Sequence, residues 1–119
     1  MISASAAIAL SCQADIPMPD SQRDALCRAL HAALVDKAGA DRVHPLADGG
    51  TAAAGALRIA LHLTRADART VEGHLEWQRD DGQPVTGPPV IVSVDDAPLG
   101  AWMYPSFAAG LLQVSKLPL

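Results

Sequence analysis

The stretches ALRIALHLT (residues 56–64) and VEGHLEWQR (residues 71–79) decide the fold. The odd-numbered positions inside the first stretch are all leucine or isoleucine, and those from Val71 to Trp77 in the second are apolar or glycine. Because successive side chains of a strand point to opposite faces, this alternation predicts two strands, each with one buried face. The mostly polar connection between them predicts an antiparallel hairpin.

The register of this hairpin is limited by the same alternation. Residues that lie opposite each other in a hairpin face the same way, so the numbers of each pair must sum to an even value. Pairing Arg65 with Val71 satisfies this condition, leaves a loop of about five residues, and sets His62 opposite His74. A shift by two positions satisfies it equally well, so the sequence leaves that alternative open.

Elements on both sides of the hairpin complete an α+β pattern. Apolar periodicity and breaker residues predict the following elements: a strand over residues 4–12, a helix capped by Asp20 or Ser21 and ending near Ala38 before Gly39, a loop over residues 40–55, a strand over residues 90–94, and a helix over residues 106–114. This order predicts an antiparallel sheet of about four strands with both helices packed on one face. We expect residues 1–119 to form a single domain.

Composition and motifs argue against several classes of function. The formal charge of −4 and the lack of a lysine or arginine cluster argue against nucleic acid as a partner. No apolar run approaches the roughly 20 residues that span a bilayer. The sequence lacks the common nucleophile, zinc-protease and phosphate-loop motifs, and the acidic pairs at residues 80–81 and 95–96 are typical of turns. We therefore expect a non-catalytic protein without a cofactor, and an enzyme whose catalytic residues meet only in the folded structure is a third hypothesis.

Two cysteines offer the clearest structural hypothesis. Cys12 lies near the end of the first predicted strand and Cys27 on the apolar stripe of the first predicted helix, so both face the expected core. A disulfide between them is typical of a short protein in an oxidising compartment. We therefore expect a periplasmic or secreted protein whose export signal has been removed. Two reduced thiols in a cytoplasmic protein are the alternative.

Two histidines suggest a metal site. The predicted register places His62 opposite His74 on the polar face of the hairpin, where Glu72 or Glu76 could add a carboxylate. Imidazole and carboxylate are ligands that zinc accepts. The alternative is an ordinary solvated sheet face with polar cross-strand contacts.

Trp102, Met103 and Tyr104 suggest a contact patch for a protein partner. Aromatic side chains and methionine are enriched at protein interfaces, and this segment directly precedes the last predicted helix. The alternative is that the segment packs over one end of the core. The sequence thus favours a non-catalytic accessory or protein-interaction domain of the bacterial cell envelope. A small metal- or ligand-binding protein that uses the outer sheet face is the second hypothesis.

Overall fold

The structure, a computed structural model, describes residues 7–45, 56–67, 69–79, 82–94 and 101–117. Its elements, in chain order, are β1 (Ile8–Ala14), α1 (Asp20–Ala38), β2 (Val43–Pro45), β3 (Leu57–Ala66), β4 (Thr70–Arg79), β5 (Val85–Thr86), β6 (Val90–Ser93), a 3₁₀ turn (Ala101–Met103) and α2 (Tyr104–Val114). The start of the predicted first strand, which falls within residues 1–6, lies outside the described part of the chain. Both acidic pairs, residues 80–81 and 95–96, also lie outside it.

The sheet is mixed, so the predicted antiparallel sheet of four strands is wrong, whereas the α+β class is confirmed. Six strands take part, in the order β2-β1-β3-β4-β5, and β6 pairs with the same edge of β4 as β5. β1 runs parallel to both β2 and β3, while β3, β4, β5 and β6 are joined by antiparallel pairing. Parallel neighbours need a crossover connection, and α1 lies within the one that follows β1. The short β2 falls inside the predicted loop of residues 40–55.

The hairpin β3–β4 confirms the predicted pairing of His62 with His74, but its closed end differs from the prediction. A register shift between Leu63 and Arg65 sets Arg65 opposite Glu72 rather than opposite Val71. Such a bulge inserts one residue into a strand and reverses its alternation from there on. Without it, Arg65 would share the core face with Val71, which is fully buried. The bulge therefore keeps a charged side chain out of the core.

One hydrophobic core lies between the sheet and the two helices. The inward residues of β3 and β4 alternate with more exposed ones, as predicted, whereas β1 departs from the predicted alternation because Ile8, Ala9 and Leu10 are all buried. Leu26, Leu30 and Leu34 form the buried stripe of α1, and Phe107 and Leu111 lie on the buried side of α2. Both helices contribute to the same core cluster, so they cover the same face of the sheet.

The ends of α1 differ in how well the sequence predicts them. The N-cap is Pro19, with φ −62° and ψ 138°, and not Asp20 or Ser21. Asp20 instead lies in the first turn, where a carboxylate interacts favourably with the partial positive charge of the helix end. The stop at Gly39 is confirmed: its φ of 97° is rarely adopted by residues with a β-carbon.

Candidate functional site

Trp102 is the most exposed large apolar side chain in the described part of the chain. It lies in the 3₁₀ turn before α2, and 67% of it is accessible to solvent. Met103 is half-buried and Tyr104 is buried, at 8% exposure. The three residues therefore do not form one surface. Tyr104 belongs to the core, and Trp102 is the member of this segment that can contact a partner.

The position of helix α2 explains why Tyr104 is buried while Trp102 is exposed. Tyr104, Phe107, Ala108 and Leu111 are all buried, and their spacing of three and four residues places them on one face of the helix. Because Tyr104 is the first member of that stripe, it fixes the start of the helix against the core. Trp102 therefore lies two residues before a side chain that is packed into the core.

His62 and His74 are brought together on the outer sheet face, as the register predicted. Their ring centroids are 5.2 Å apart and their planes differ by 10°, so the rings are stacked. His62 Nδ1 also lies 3.5 Å from Oδ2 of Asp15, which follows β1. Within the described ranges, no three histidine, cysteine or acidic side chains are placed so that they could hold a metal ion. Glu72 and Glu76 lie on the same face without completing such a group.

The two cysteines meet where β1 and α1 pack together. Cys12 and Cys27 are placed as a disulfide, with their Cα atoms 5.9 Å apart. This bridge joins the two elements at the border of the core, where both cysteines are partly buried. A disulfide is compatible with an oxidising compartment outside the cytoplasm. No helix in the described part of the chain is long and apolar enough to cross a membrane.

Asp67, in the loop between β3 and β4, has a pKa below its ordinary value. Oδ1 of Asp67 accepts hydrogen bonds from the backbone N–H groups of Arg69 and Thr70, both at 2.9 Å. Arg65 donates from Nε to Oδ2 of the same carboxylate at 3.2 Å. The hydrogen bond from the Arg69 backbone, followed by that from Thr70 and by the Arg65 side chain, lowers the pKa of Asp67. Asp67 therefore ties together the backbone and the Arg65 side chain of this loop.

Sequence reasoning missed a cavity that lies where both helices end. A cavity of about 390 Å³ is lined by Lys37 from α1 and by residues of the segment 112–117 from the end of α2. Lys37 and Lys116 are far apart in the chain, and only the packing of the helices brings them to one site. No local motif could have indicated it.

Comparison with known proteins identifies a fold but not a family. No family model and no curated protein matches the chain. A solved structure, a PelC dodecamer from Paraburkholderia phytofirmans, is similar with a TM-score of 0.61. The likeness covers 93% of this chain and 89% of that one, at 14% sequence identity. At this identity it shows a shared fold alone.

Proposed function

We propose that this chain is a non-catalytic accessory protein of the bacterial cell envelope, and that it acts as an assembly of several copies joined through Trp102. The observation that carries the proposal is the 67% exposure of Trp102 beside a well-packed helix start. A tryptophan held in this way offers a large contact area with little loss of conformational freedom on binding.

The edges of the sheet support a second copy of the chain as the partner. β2 is a short strand at one edge, and β5 and β6 together form the other. Val85 and Ile91, which lie on β5 and β6, are also exposed, at 46% and 57%. Two unlike edges suit a head-to-tail contact, and such contacts close into rings when the rotation between copies permits. The similar fold belongs to a protein that forms a dodecamer.

The Cys12–Cys27 bridge supports the proposed compartment. Cytoplasmic thiols are kept reduced, whereas structural disulfides persist in the periplasm and outside the cell. The bridge joins β1 to α1. The bridge thus supports our proposal that the protein acts in the periplasm or outside the cell.

Native mass spectrometry over a range of protein concentrations tests the proposal. We expect the natural sequence to assemble and Trp102→Ala to raise the dissociation constant about thirtyfold, which corresponds to the loss of one interface hot spot. Val114→Ala is the matched control, because Val114 is also an exposed apolar residue near an end of α2. A strictly monomeric protein, or a Trp102→Ala variant that assembles as the natural sequence does, would contradict the proposal.

The stacked histidines support a second candidate function, the binding of a divalent metal on the outer sheet face. His62 and His74 could supply two imidazole ligands, and the others would have to come from outside the described residues, for instance from a second copy. A ligand that binds only the folded state raises its stability. We therefore expect zinc to raise the melting temperature of the natural protein but not that of His74→Ala, and equal melting curves with and without zinc would exclude this function.

A further inference from the structure

The cavity at the ends of the two helices has an unusual concentration of positive charge. Lys37 and Lys116 are the two lysines of the chain, and both line this cavity. The chain as a whole is acidic, with 13 aspartates and glutamates against 9 lysines and arginines. None of the described residues that line the cavity is acidic. The charged side chains described at this site are therefore both positive, although the whole chain is acidic.

Neither lysine is neutralised by a described neighbour. The ion pairs and hydrogen bonds among the described residues include no contact to Nζ of Lys37 or of Lys116. Both side chains are exposed. An anion bound between two ammonium groups would interact favourably with both of them.

The rest of the lining is partly apolar. Leu112 is buried and Leu117 half-buried, and Gln113 adds an amide that can donate a hydrogen bond. The hydroxyl oxygen of Ser115 is buried without a hydrogen-bond partner, but it lies against the backbone of Gly87. The groups that can meet a ligand are therefore two ammonium groups, one amide and leucine side chains.

We propose that this cavity binds a small organic anion, with its carboxylate held between Lys37 and Lys116 and its apolar part against Leu112 and Leu117. A volume of about 390 Å³ lies within the range of roughly 300–1,000 Å³ found for small-molecule sites. This site is distinct from the proposed contact at Trp102, which lies at the opposite end of α2. The inference stands or falls independently of self-assembly.

The lysines also have a structural explanation that the test must separate from binding. Lys37 lies in the last turn of α1, and Lys116 follows the end of α2. Positive side chains interact favourably with the partial negative charge at such helix ends. That role alone predicts that loss of a lysine lowers the stability of the ligand-free protein, with no saturable binding of any anion.

Titration of the isotope-labelled protein with octanoate, followed by NMR, tests the site. We expect saturable shifts of the backbone amides of Lys37 and of residues 113–117 at up to about 20 mM ligand, since so small a ligand should bind with a dissociation constant of about 1 mM. Octanamide, which has the same apolar chain without the charge, should produce none of these shifts. Inorganic phosphate, which has charge without an apolar chain, should bind at least about fivefold more weakly than octanoate.

Charge variants complete the test. Lys37→Gln and Lys116→Gln should each weaken octanoate binding about fivefold, the size expected for one exposed ion pair. Arg28→Gln removes the same charge from α1 at a residue that lines a different cavity, and it should leave binding unchanged. No saturable shifts, equal binding of octanamide or phosphate, or equal weakening by Arg28→Gln would each overturn the proposal.

Discussion

The ring of Phe107 packs directly over the backbone of Gly73. A β-carbon placed on Gly73 would lie 3.2 Å from Cζ of Phe107 and 2.7 Å from the backbone oxygen of His62. The absence of a side chain at this point of β4 lets α2 approach the sheet closely. The largest apolar residue of the helix thus fills the space that an ordinary strand residue would occupy.

Gly73→Ala should therefore destabilise the protein by about 2–3 kcal/mol, because the new methyl group overlaps a backbone atom that cannot move aside. Gly110→Ala provides the control. A β-carbon there would meet Cγ1 of Val90 at 3.4 Å, an ordinary contact, and alanine favours a helix more than glycine does. We expect Gly110→Ala to be neutral or to stabilise by up to about 1 kcal/mol. Urea unfolding of both variants measures the difference, and equal destabilisation would contradict it.

Gly39→Ala should cost about 1–3 kcal/mol for a different reason. No atom lies within 4 Å of a β-carbon at this position, but the backbone has φ 97° and ψ 143°. The cost is therefore backbone strain rather than overlap. A larger side chain should add nothing, so Gly39→Ser should unfold at the same urea concentration as Gly39→Ala. A much greater loss for serine would show that crowding is the cause.

Loss of the Cys12–Cys27 bridge should lower the free energy of unfolding by about 3 kcal/mol, given a sequence separation of 15. Urea unfolding of the oxidised and the reduced protein measures this loss. The double variant Cys12→Ala/Cys27→Ala should match the reduced protein to within about 1 kcal/mol and should not respond to reductant. Equal stability of the oxidised and reduced proteins would show that the bridge does not constrain the unfolded chain.

Asp67 should titrate below its ordinary value of 3.8, because its ionised form accepts the backbone hydrogen bonds of Arg69 and Thr70. A pKa that is lower in the folded state contributes stability above pH 3.8, and that contribution is lost as the pH falls through the folded-state pKa. The carboxyl carbon resonance of Asp67 measures the titration directly.

Asp67→Asn is the matched variant, because its side-chain oxygen can accept the same two hydrogen bonds but cannot titrate. Hydrogen exchange of the loop amides, corrected for the intrinsic exchange rate at each pH, should speed up less on acidification in this variant than in the natural protein. An Asp67 resonance that titrates above 3.8 would contradict the assigned cause.

The hairpin could be predicted because its alternation is regular, but the direction of β1 could not be read in the same way. A strand followed by a helix and further strands is also typical of a parallel crossover. Alternation favoured the antiparallel interpretation, since parallel strands are normally buried on both faces. Here β3 pairs in parallel with β1, yet the helices cover only one face. An alternating pattern therefore indicates exposure of one sheet face and leaves strand direction undecided.

Predictions for individual residues succeeded where local geometry was enough. The rule that paired residue numbers sum to an even value placed His62 opposite His74. The apolar stripes of strand and helix placed Cys12 near Cys27. The predicted contact patch of Trp102, Met103 and Tyr104 does not form one surface, because α2 begins at Tyr104 and not at Ser106. Starting the helix there brings Tyr104 into the stripe of Phe107, and proline in a first turn is compatible with such a start. The lysine cavity depends on how the helix ends meet, which no local pattern specifies.

The bulge between Leu63 and Arg65 also affects how related sequences would be recognised. Before it, the inward side chains of β3 have odd numbers, and after it Ala66 lies opposite the inward Val71. A relative with a regular hairpin would match this chain on both sides of the bulge only if its alignment contained a gap of one residue. Comparisons that align sequence without such a gap would match inward residues to outward ones over the end of the strand, and so would underestimate the similarity between two chains of the same fold.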